Sequence, residues 1–187
     1  IAGGTLERGK DARLAEEVAL KNVKVTGFWM ATHEVTNAEF AEFVRATGYI
    51  TLAERQPPAL ENSPPEMQQA GSAVFTVPRD GNPNWWRWVI GASWRQPQGP
   101  SAAKEPQDPR HPVVQIAYED ARAYAKWAGK ALPSEEQWEW AARQGGADPD
   151  VPPEKQGKPS ANTYQGSFPF ADQGRDGFKG TAPVACF

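Results

Sequence analysis

Three oxygen-bearing side chains, Asn162, Asp172 and Asp176, lie close together near the end of the 187-residue sequence. Gly174 and Gly177 fall in the same stretch, and glycine lets a backbone turn its carbonyl groups toward one point. Oxygen ligands on a flexible loop suit Ca²⁺, and the lack of nearby His or Cys argues against zinc or copper. Asp and Gly are also common turn residues. The residues therefore indicate either a calcium site or an ordinary set of turns.

A second stretch, residues 85–100, combines several tryptophans with arginine. The residues that could bind a ligand are Trp85, Trp86, Trp94 and Arg95. They could line a groove that receives an extended peptide, since arginine stacks on aromatic faces. Alternatively, the tryptophans fill the core of a loop-rich domain. The residue types alone leave both interpretations open.

Redox metal chemistry has few candidate residues in this chain. The sequence holds one cysteine, Cys186, and two histidines, His33 and His111. A single thiol cannot make a two-cysteine copper site, and a lone histidine is more often structural than a ligand. These counts indicate that the chain does not assemble an iron or copper centre from its own cysteines and histidines.

Composition narrows the class of protein further. The net charge of −3 gives no general attraction to phosphate backbones, so we expect no nucleic-acid partner. No stretch is long and apolar enough to span a membrane. The 17 glycines and 18 prolines predict a fold rich in loops and low in regular secondary structure, and the strands and helices predicted below place it in the α+β class. The sequence begins at Ile1 with neither a methionine nor a signal sequence, which favours a processed or excerpted N-terminus. A processed N-terminus weakly favours an extracytoplasmic compartment.

The elements that position these residues can be predicted from local patterns. Residues 22–30 alternate and predict a strand that delivers aromatic side chains to a core. Thr36 is placed to cap a helix that buries Phe40, Phe43 and Val44 and ends at Gly48. The many prolines and glycines of residues 57–83 predict a long loop.

A strand, helix, turn and helix are expected over residues 111–146. Residues 111–116 are rich in β-branched side chains and predict a short strand. Tyr124 and Ala125 belong to the apolar stripe of the next helix, which Gly129 ends. Ser134 and Gln137 form the capping box of the last helix. That helix is expected to pack through a face made by Trp138, Ala141 and Ala142.

The residues of these elements resemble the formylglycine-generating enzyme (sulfatase-modifying factor) family. The matching motifs are Glu34-Val-Thr-Asn-x-x-Phe-x-x-Phe-Val-x-x-Thr-Gly-Tyr, His111-Pro-Val-Val, and Asp120-Ala-x-Ala-Tyr-x-x-Trp-Ala-Gly-Lys-x-Leu-Pro-Ser-Glu-x-x-Trp-Glu-x-Ala-Ala-Arg. The resemblance implies the family's fold, a C-type-lectin-like variant, with residues 1–187 forming the N-terminal part of a single domain. Gln115, Ala117 and Tyr118 stand where the family commonly has His, Ser and Trp.

The resemblance also implies a ligand set for calcium. In the family, the segment similar to residues 162–178 binds structural calcium through positions that match Asn162, Thr163, Asp176 and Phe178. Asn162 and Asp176 would contribute side chains, and Thr163 and Phe178 would contribute carbonyl oxygens. Asp172 would then be a supporting or surface residue. The segment containing Trp85, Trp86, Trp94 and Arg95 is similar to a family motif near the substrate cleft.

The activity implied is the O₂-dependent oxidation of a sulfatase cysteine to formylglycine. The family's copper-binding cysteine pair belongs to a C-terminal part that this chain does not include, and Cys186 matches neither cysteine. We therefore expect a companion chain or fragment of the same fold and a sulfatase-like peptide as partners. Two alternatives stay open: a non-catalytic member that acts as a binding or assembly module, and a related oxidase of the siderophore-maturing or sulfoxide-synthase type.

Overall fold

The structure, a computed structural model, describes residues 1–8, 22–58, 62–78, 84–102, 107–143, 154–155 and 157–187. Within this part of the chain three helices occur with four antiparallel strand pairs. The helices are α1 (Asn37–Thr47), α2 (Tyr118–Trp127) and α3 (Glu135–Arg143). The pairs are β1 (Gly4–Leu6) with β2 (Val23–Val25), β3 (Gly71–Phe75) with β4 (Trp86–Ile90), β5 (Glu154–Lys155) with β6 (Lys158–Pro159), and β7 (Gly166–Ser167) with β8 (Ala171–Asp172). Short 3₁₀ turns span Leu52–Glu54 and Pro65–Gln68. This is a loop-rich α+β arrangement.

Helix α1 begins and ends as its sequence predicts. The Glu39 N–H donates to Thr36 Oγ1 (3.2 Å), and the Thr36 N–H donates back to Glu39 Oε2 (2.8 Å). At the other end Gly48 adopts φ +67°, and its N–H donates to the Val44 carbonyl (2.8 Å). The left-handed turn favours glycine because it has no Cβ. Both ends of α1 are therefore set by local residues.

The core is a cluster of aromatic rings between α1, α2 and one loop. Phe40 lies 5.9 Å from the ring of Tyr124 and 5.2 Å from that of Trp94, while Phe43 lies 5.4 Å from Phe40. These four side chains are each less than a tenth exposed. Edge-on and stacked pairs at such distances add stability beyond the apolar area that they bury. The buried stripes predicted for α1 and α2 are confirmed.

A buried carboxylate, that of Asp120, ties α2 to the segment that follows α1. Its oxygens accept the Ala117 N–H (2.9 Å), the Leu52 N–H (3.0 Å) and the Tyr49 hydroxyl (3.0 Å), and Arg55 lies 3.5 Å away. A buried charge needs this many partners because it has lost its water. Asp120 therefore anchors the first turn of α2.

Two predicted strands are wrong in extent. Residues 111–116 do not form a strand. Only Pro112 pairs with Thr36 in an antiparallel manner, and the Val113 N–H donates to the Val35 carbonyl. Pro112 has no N–H to extend the ladder. Of residues 22–30 only Val23–Val25 are in β2, and Trp29 is fully exposed (101%) rather than buried. An alternation of apolar and polar residues over a short stretch does not show where the neighbouring strand that pairs with it ends.

The region predicted as a long loop, residues 57–83, contains strand β3. It pairs with β4 in the register Gly71 to Ile90 and Phe75 to Trp86. A Cβ on Gly71 would lie 2.4 Å from the Val89 carbonyl oxygen, so close strand approach requires glycine there. Residues 59–61 and 79–83 lie outside the described residues. Strand β3 was missed because its own residues carry no clear strand pattern, and its pairing with β4 is what makes it a strand.

Helix α3 starts as predicted but packs through a different face. Ser134 and Gln137 form the reciprocal cap, with distances of 2.9 and 3.2 Å. Trp138, however, is 61% exposed. Trp140 instead donates its indole N–H to the Ala2 carbonyl (2.8 Å), and its ring lies against Gly4. The expected packing of α3 through Trp138, Ala141 and Ala142 is therefore wrong. None of the described helices has the length and apolar character to cross a membrane.

Candidate functional site

The oxygen-rich loop of residues 162–178 folds around the carboxylate of Asp176. Oδ1 accepts the Phe178 N–H (2.9 Å), and Oδ2 accepts the Thr163 N–H (3.3 Å). Oδ2 also accepts Nε2 of Gln165 (2.8 Å). Three of the four residues expected to bind calcium, Thr163, Asp176 and Phe178, are thus brought together at one carboxylate.

Gln165 is a member of this cluster that sequence reasoning missed. Its Nε2 donates to the Thr163 carbonyl oxygen (2.6 Å) as well as to Asp176, and its Oε1 accepts the Asp176 N–H (3.1 Å). One amide therefore links both ends of the loop, residues far enough apart that no local pattern pairs them. The signal available was the Gln165-Gly166 pair within residues 162–178, the same segment that contains Asn162 and Asp176.

Asn162 lies at the margin of the cluster. It is exposed, and its Nδ2 donates to the Gly180 carbonyl oxygen (2.9 Å). Among the described residues no hydrogen bond joins it to Asp176. The Nδ2 bond leaves the amide oxygen of Asn162 able to accept a further partner.

Asp172 and Gly174 support the loop from the β7–β8 hairpin. Asp172 Oδ1 accepts the N–H groups of Gly174 (3.0 Å) and Gln165 (3.3 Å). Gly174 adopts φ +59°, and a Cβ there would lie 3.2 Å from the Phe178 carbonyl oxygen. A larger residue at position 174 would therefore crowd the Phe178 carbonyl group.

The Asp176 carboxylate is stabilised in its charged form. The Phe178 N–H, followed by the Gln165 amide and the Thr163 N–H, outweighs partial burial and lowers the pKa of Asp176 below its usual value of 3.8. Near neutral pH the loop thus presents a negative charge beside backbone carbonyl groups.

The tryptophan segment is divided between a hairpin and the core. On β4 and just before it, Trp85 lies 5.4 Å from Phe168, and Trp86, which is 53% exposed, lies 6.1 Å from Phe75. Trp94 is 5% exposed and belongs to the core cluster. Of these three tryptophans, the two on the hairpin are the ones that a ligand can reach.

Arg95 lies over the buried Trp94 at the molecular surface. Its guanidinium carbon is 4.4 Å from the centroid of the Trp94 ring, and its Nε lies 3.2 Å from Glu54 Oε1. Among the described residues no ring contact joins Trp85 or Trp86 to Trp94. The four residues expected to bind substrate therefore occupy two places, the hairpin and the rim of the core.

Comparison with known proteins identifies the family. Residues 1–187 match the model of the sulfatase-modifying factor enzyme 1-like domain. The chain is 42% identical to the formylglycine-generating enzyme of Mycobacterium tuberculosis, over all of this chain and 66% of that relative. The bovine formylglycine-generating enzyme is 39% identical, over 91% of this chain and 46% of the relative. The mouse inactive C-alpha-formylglycine-generating enzyme 2 is 36% identical, over all of this chain and 60% of the relative.

The chain belongs to the sulfatase-modifying factor enzyme family. It spans between about half and two thirds of the length of the relatives named above. The family expected from the motifs is confirmed by this membership, and the helices and small sheets of the described residues agree with an α+β fold.

A calcium ion fits the oxygen-rich loop of this family member in charge and chemistry. The loop offers an ionised carboxylate at Asp176 and the carbonyl oxygens of Thr163 and Phe178, and hard oxygen donors are what Ca²⁺ binds. The hydrogen bonds named above use both acceptor sites of Asp176 Oδ2. Asp176 Oδ1 and the Thr163 carbonyl oxygen each accept one side-chain or backbone donor there, which leaves each of them able to accept a further partner.

A paired-cysteine copper site does not fit this chain. Cys186 is its one cysteine and is exposed near Phe187. The described residues contain no group of three His, Cys, Asp or Glu side chains placed to hold a metal ion. No redox step can therefore be assigned to this chain's own thiols.

Proposed function

We propose that this chain is part of a formylglycine-generating oxidase, which converts a sulfatase cysteine to formylglycine with O₂. The observation that carries the proposal is the family match across residues 1–187. The relatives named formylglycine-generating enzyme, at 39% and 42% identity, support the same activity. In this proposal the chain supplies the scaffold, a calcium site and part of the peptide groove.

The calcium site uses Asn162, Thr163, Asp176 and Phe178. Asp176 contributes its carboxylate, Asn162 its amide oxygen, and Thr163 and Phe178 their carbonyl groups. The support is that the backbone N–H groups of Thr163 and Phe178 both donate to the Asp176 carboxylate, which brings these three residues together. The ion supplies positive charge that offsets Asp176 and fixes the loop.

The peptide groove uses the exposed faces of Trp85, Trp86 and Arg95. Trp94 contributes indirectly. Its buried ring packs under the Arg95 guanidinium, whose carbon lies 4.4 Å from the ring centroid. Aromatic faces bury the apolar parts of an extended peptide, and the arginine can donate to its carbonyl or carboxylate oxygens. This assignment makes Trp86 the largest apolar contact, since half of its side chain is exposed.

A companion chain or fragment completes the domain as a C-type-lectin-like variant. Copper bound there by paired cysteines would supply the redox chemistry. Exposed rings at Trp29, Tyr118 and Trp138 support this proposal, because large apolar side chains normally contact something in a complete fold.

The proposal can be tested by combining this chain with the remainder of the M. tuberculosis relative. A cysteine-containing sulfatase peptide is incubated with both, with O₂ and copper, and its mass and aldehyde content are measured. We expect aldehyde formation when both parts are present and a marked loss with Trp86→Ala. A stable, copper-loaded assembly that leaves the peptide unchanged would contradict the proposal. Intact-mass analysis of co-purifying chains identifies a natural companion.

A second candidate is a non-catalytic family member that acts as a binding or assembly module. It is favoured by the 36% identity to a relative named inactive, which is close to the values for the active relatives. In this case the completed assembly binds the sulfatase peptide without forming an aldehyde. Binding measured by fluorescence anisotropy of a labelled peptide separates the two candidates.

A further inference from the structure

We propose that Gln165 is a positioning residue. It holds two calcium ligands, the Thr163 carbonyl group and the Asp176 carboxylate, in positions from which both can bind the ion. This inference rests on the calcium site proposed above. Gln165 itself was not expected to take part, and it need not touch the ion. Its role is to hold the loop in the conformation that binds the ion.

The side chain of Gln165 joins both ligands through one amide. Nε2 donates to the Thr163 carbonyl oxygen (2.6 Å) and to Asp176 Oδ2 (2.8 Å), while Oε1 accepts the Asp176 N–H (3.1 Å). Without such a link, a carbonyl group and a carboxylate repel each other, because both present negative oxygens. The amide donor offsets that repulsion at both atoms.

The backbone of Gln165 is fixed independently by the β7–β8 hairpin. Its N–H donates to Asp172 Oδ1 (3.3 Å), and its carbonyl oxygen accepts the Gln173 N–H (2.6 Å). The side chain therefore extends from a restrained position toward the ligands. A restrained supporting group lowers the entropy that the loop must lose when an ion binds.

The chemistry at position 165 requires an amide. Two donors and one acceptor are used on a single planar group, which glutamine provides. Ionised glutamate has no donor and would add a second negative charge beside Asp176, and leucine has neither donor nor acceptor. Groups that orient metal ligands typically change metal affinity by about 10- to 100-fold when they are removed.

The test is a calorimetric titration of Ca²⁺ into chelator-treated protein at neutral pH. We compare the wild type with Gln165→Leu and with the matched control Gln173→Leu. Gln173 is exposed on the same hairpin, and its side chain makes no hydrogen bond among the described residues. We expect Gln165→Leu to bind Ca²⁺ about 10- to 100-fold more weakly and the control to bind as the wild type does.

A second measurement needs no substitution and covers the case in which Gln165→Leu fails to fold. The side-chain amide signals of Gln165 in a ¹⁵N-resolved NMR spectrum should shift during the titration with the midpoint that calorimetry gives. Wild-type affinity in Gln165→Leu, or amide signals that do not move while Ca²⁺ binds, would overturn the role of Gln165 alone. A wild type that takes up no Ca²⁺ would overturn the calcium site and this inference together.

Discussion

The aromatic core and the oxygen-rich loop hold their residues in opposite ways. In the core, Phe40, Phe43 and Tyr124 are fixed by ring packing, and few polar groups take part. In the loop, Gln165 and Asp176 are fixed by hydrogen bonds, and little apolar area is buried. Packing is insensitive to ions and pH, whereas a charged hydrogen-bonded loop responds to both. The core should therefore determine global stability, and the loop should determine its dependence on conditions.

The largest expected effect is on the core. Phe40→Ala removes a ring that is 1% exposed and leaves a cavity against Tyr124 and Trp94, so we expect a loss of about 3–5 kcal/mol in unfolding free energy. Urea denaturation measures it. Trp29→Ala is the control, since that ring is fully exposed, and it should change stability by less than about 0.5 kcal/mol. Similar losses for both variants would show that the ring cluster is not the principal core.

Next in size is the effect of removing calcium from the loop. At a free concentration 100 times its Kd, an ion that binds the folded state alone adds about 2.7 kcal/mol. A chelator should therefore lower the melting temperature of the wild type, and Asp176→Ala should abolish this dependence. Asp108→Ala, at a half-buried aspartate that is paired with Arg110 outside this loop, is the control and should keep it. A wild-type melting temperature that ignores the chelator would contradict the calcium site.

A smaller effect is expected at the cap of α1, where the core and a polar contact meet. Thr36→Ala removes the acceptor of the Glu39 N–H and should cost about 1 kcal/mol. Thr36→Ser retains the hydroxyl that accepts this hydrogen bond, so its loss in unfolding free energy should be only a few tenths of the loss in Thr36→Ala. Equal losses in the two variants, measured by urea denaturation, would assign the effect to the methyl group instead.

The smallest expected effect is the pH dependence of the loop. Because the folded-state pKa of Asp176 is lowered by the Phe178 N–H and its other donors, its contribution is complete above the ordinary value of 3.8. It is lost as pH falls through the lower folded-state pKa. In chelator, the difference in unfolding free energy between wild type and Asp176→Asn should be complete at pH 5 and should shrink as the pH falls below 3.8, as measured by urea denaturation. A constant difference would contradict the shift.

The sequence predicted features that depend on neighbouring residues. The ends of α1 follow from Thr36, Glu39 and Gly48, and these lie within one helix of each other. The loop around Asp176 could be located because several oxygen-bearing residues and glycines are concentrated there. Local hydrogen bonds and glycine conformations need no knowledge of the rest of the fold.

Features that depend on distant partners could not be predicted in the same way. Trp86 and Trp94 are the same residue type in one segment, yet one is half exposed and the other is packed on Phe40. Trp138 and Trp140 both fit an amphipathic helix, and the contact with Gly4 selects the second. Gln165 was missed because its role appears when two ends of a loop meet. Long-range packing decides each of these cases.

Phe168 gives the two predicted functional regions a shared boundary. Its ring lies 5.1 Å from Tyr164, 5.9 Å from Phe75 and 5.4 Å from Trp85, so it contacts both the oxygen-rich loop and the tryptophan hairpin. Neighbouring aromatic chromophores couple optically through their transition dipoles. A rearrangement of the loop should consequently be visible in the near-ultraviolet circular dichroism of Trp85, which would make the hairpin a built-in optical reporter.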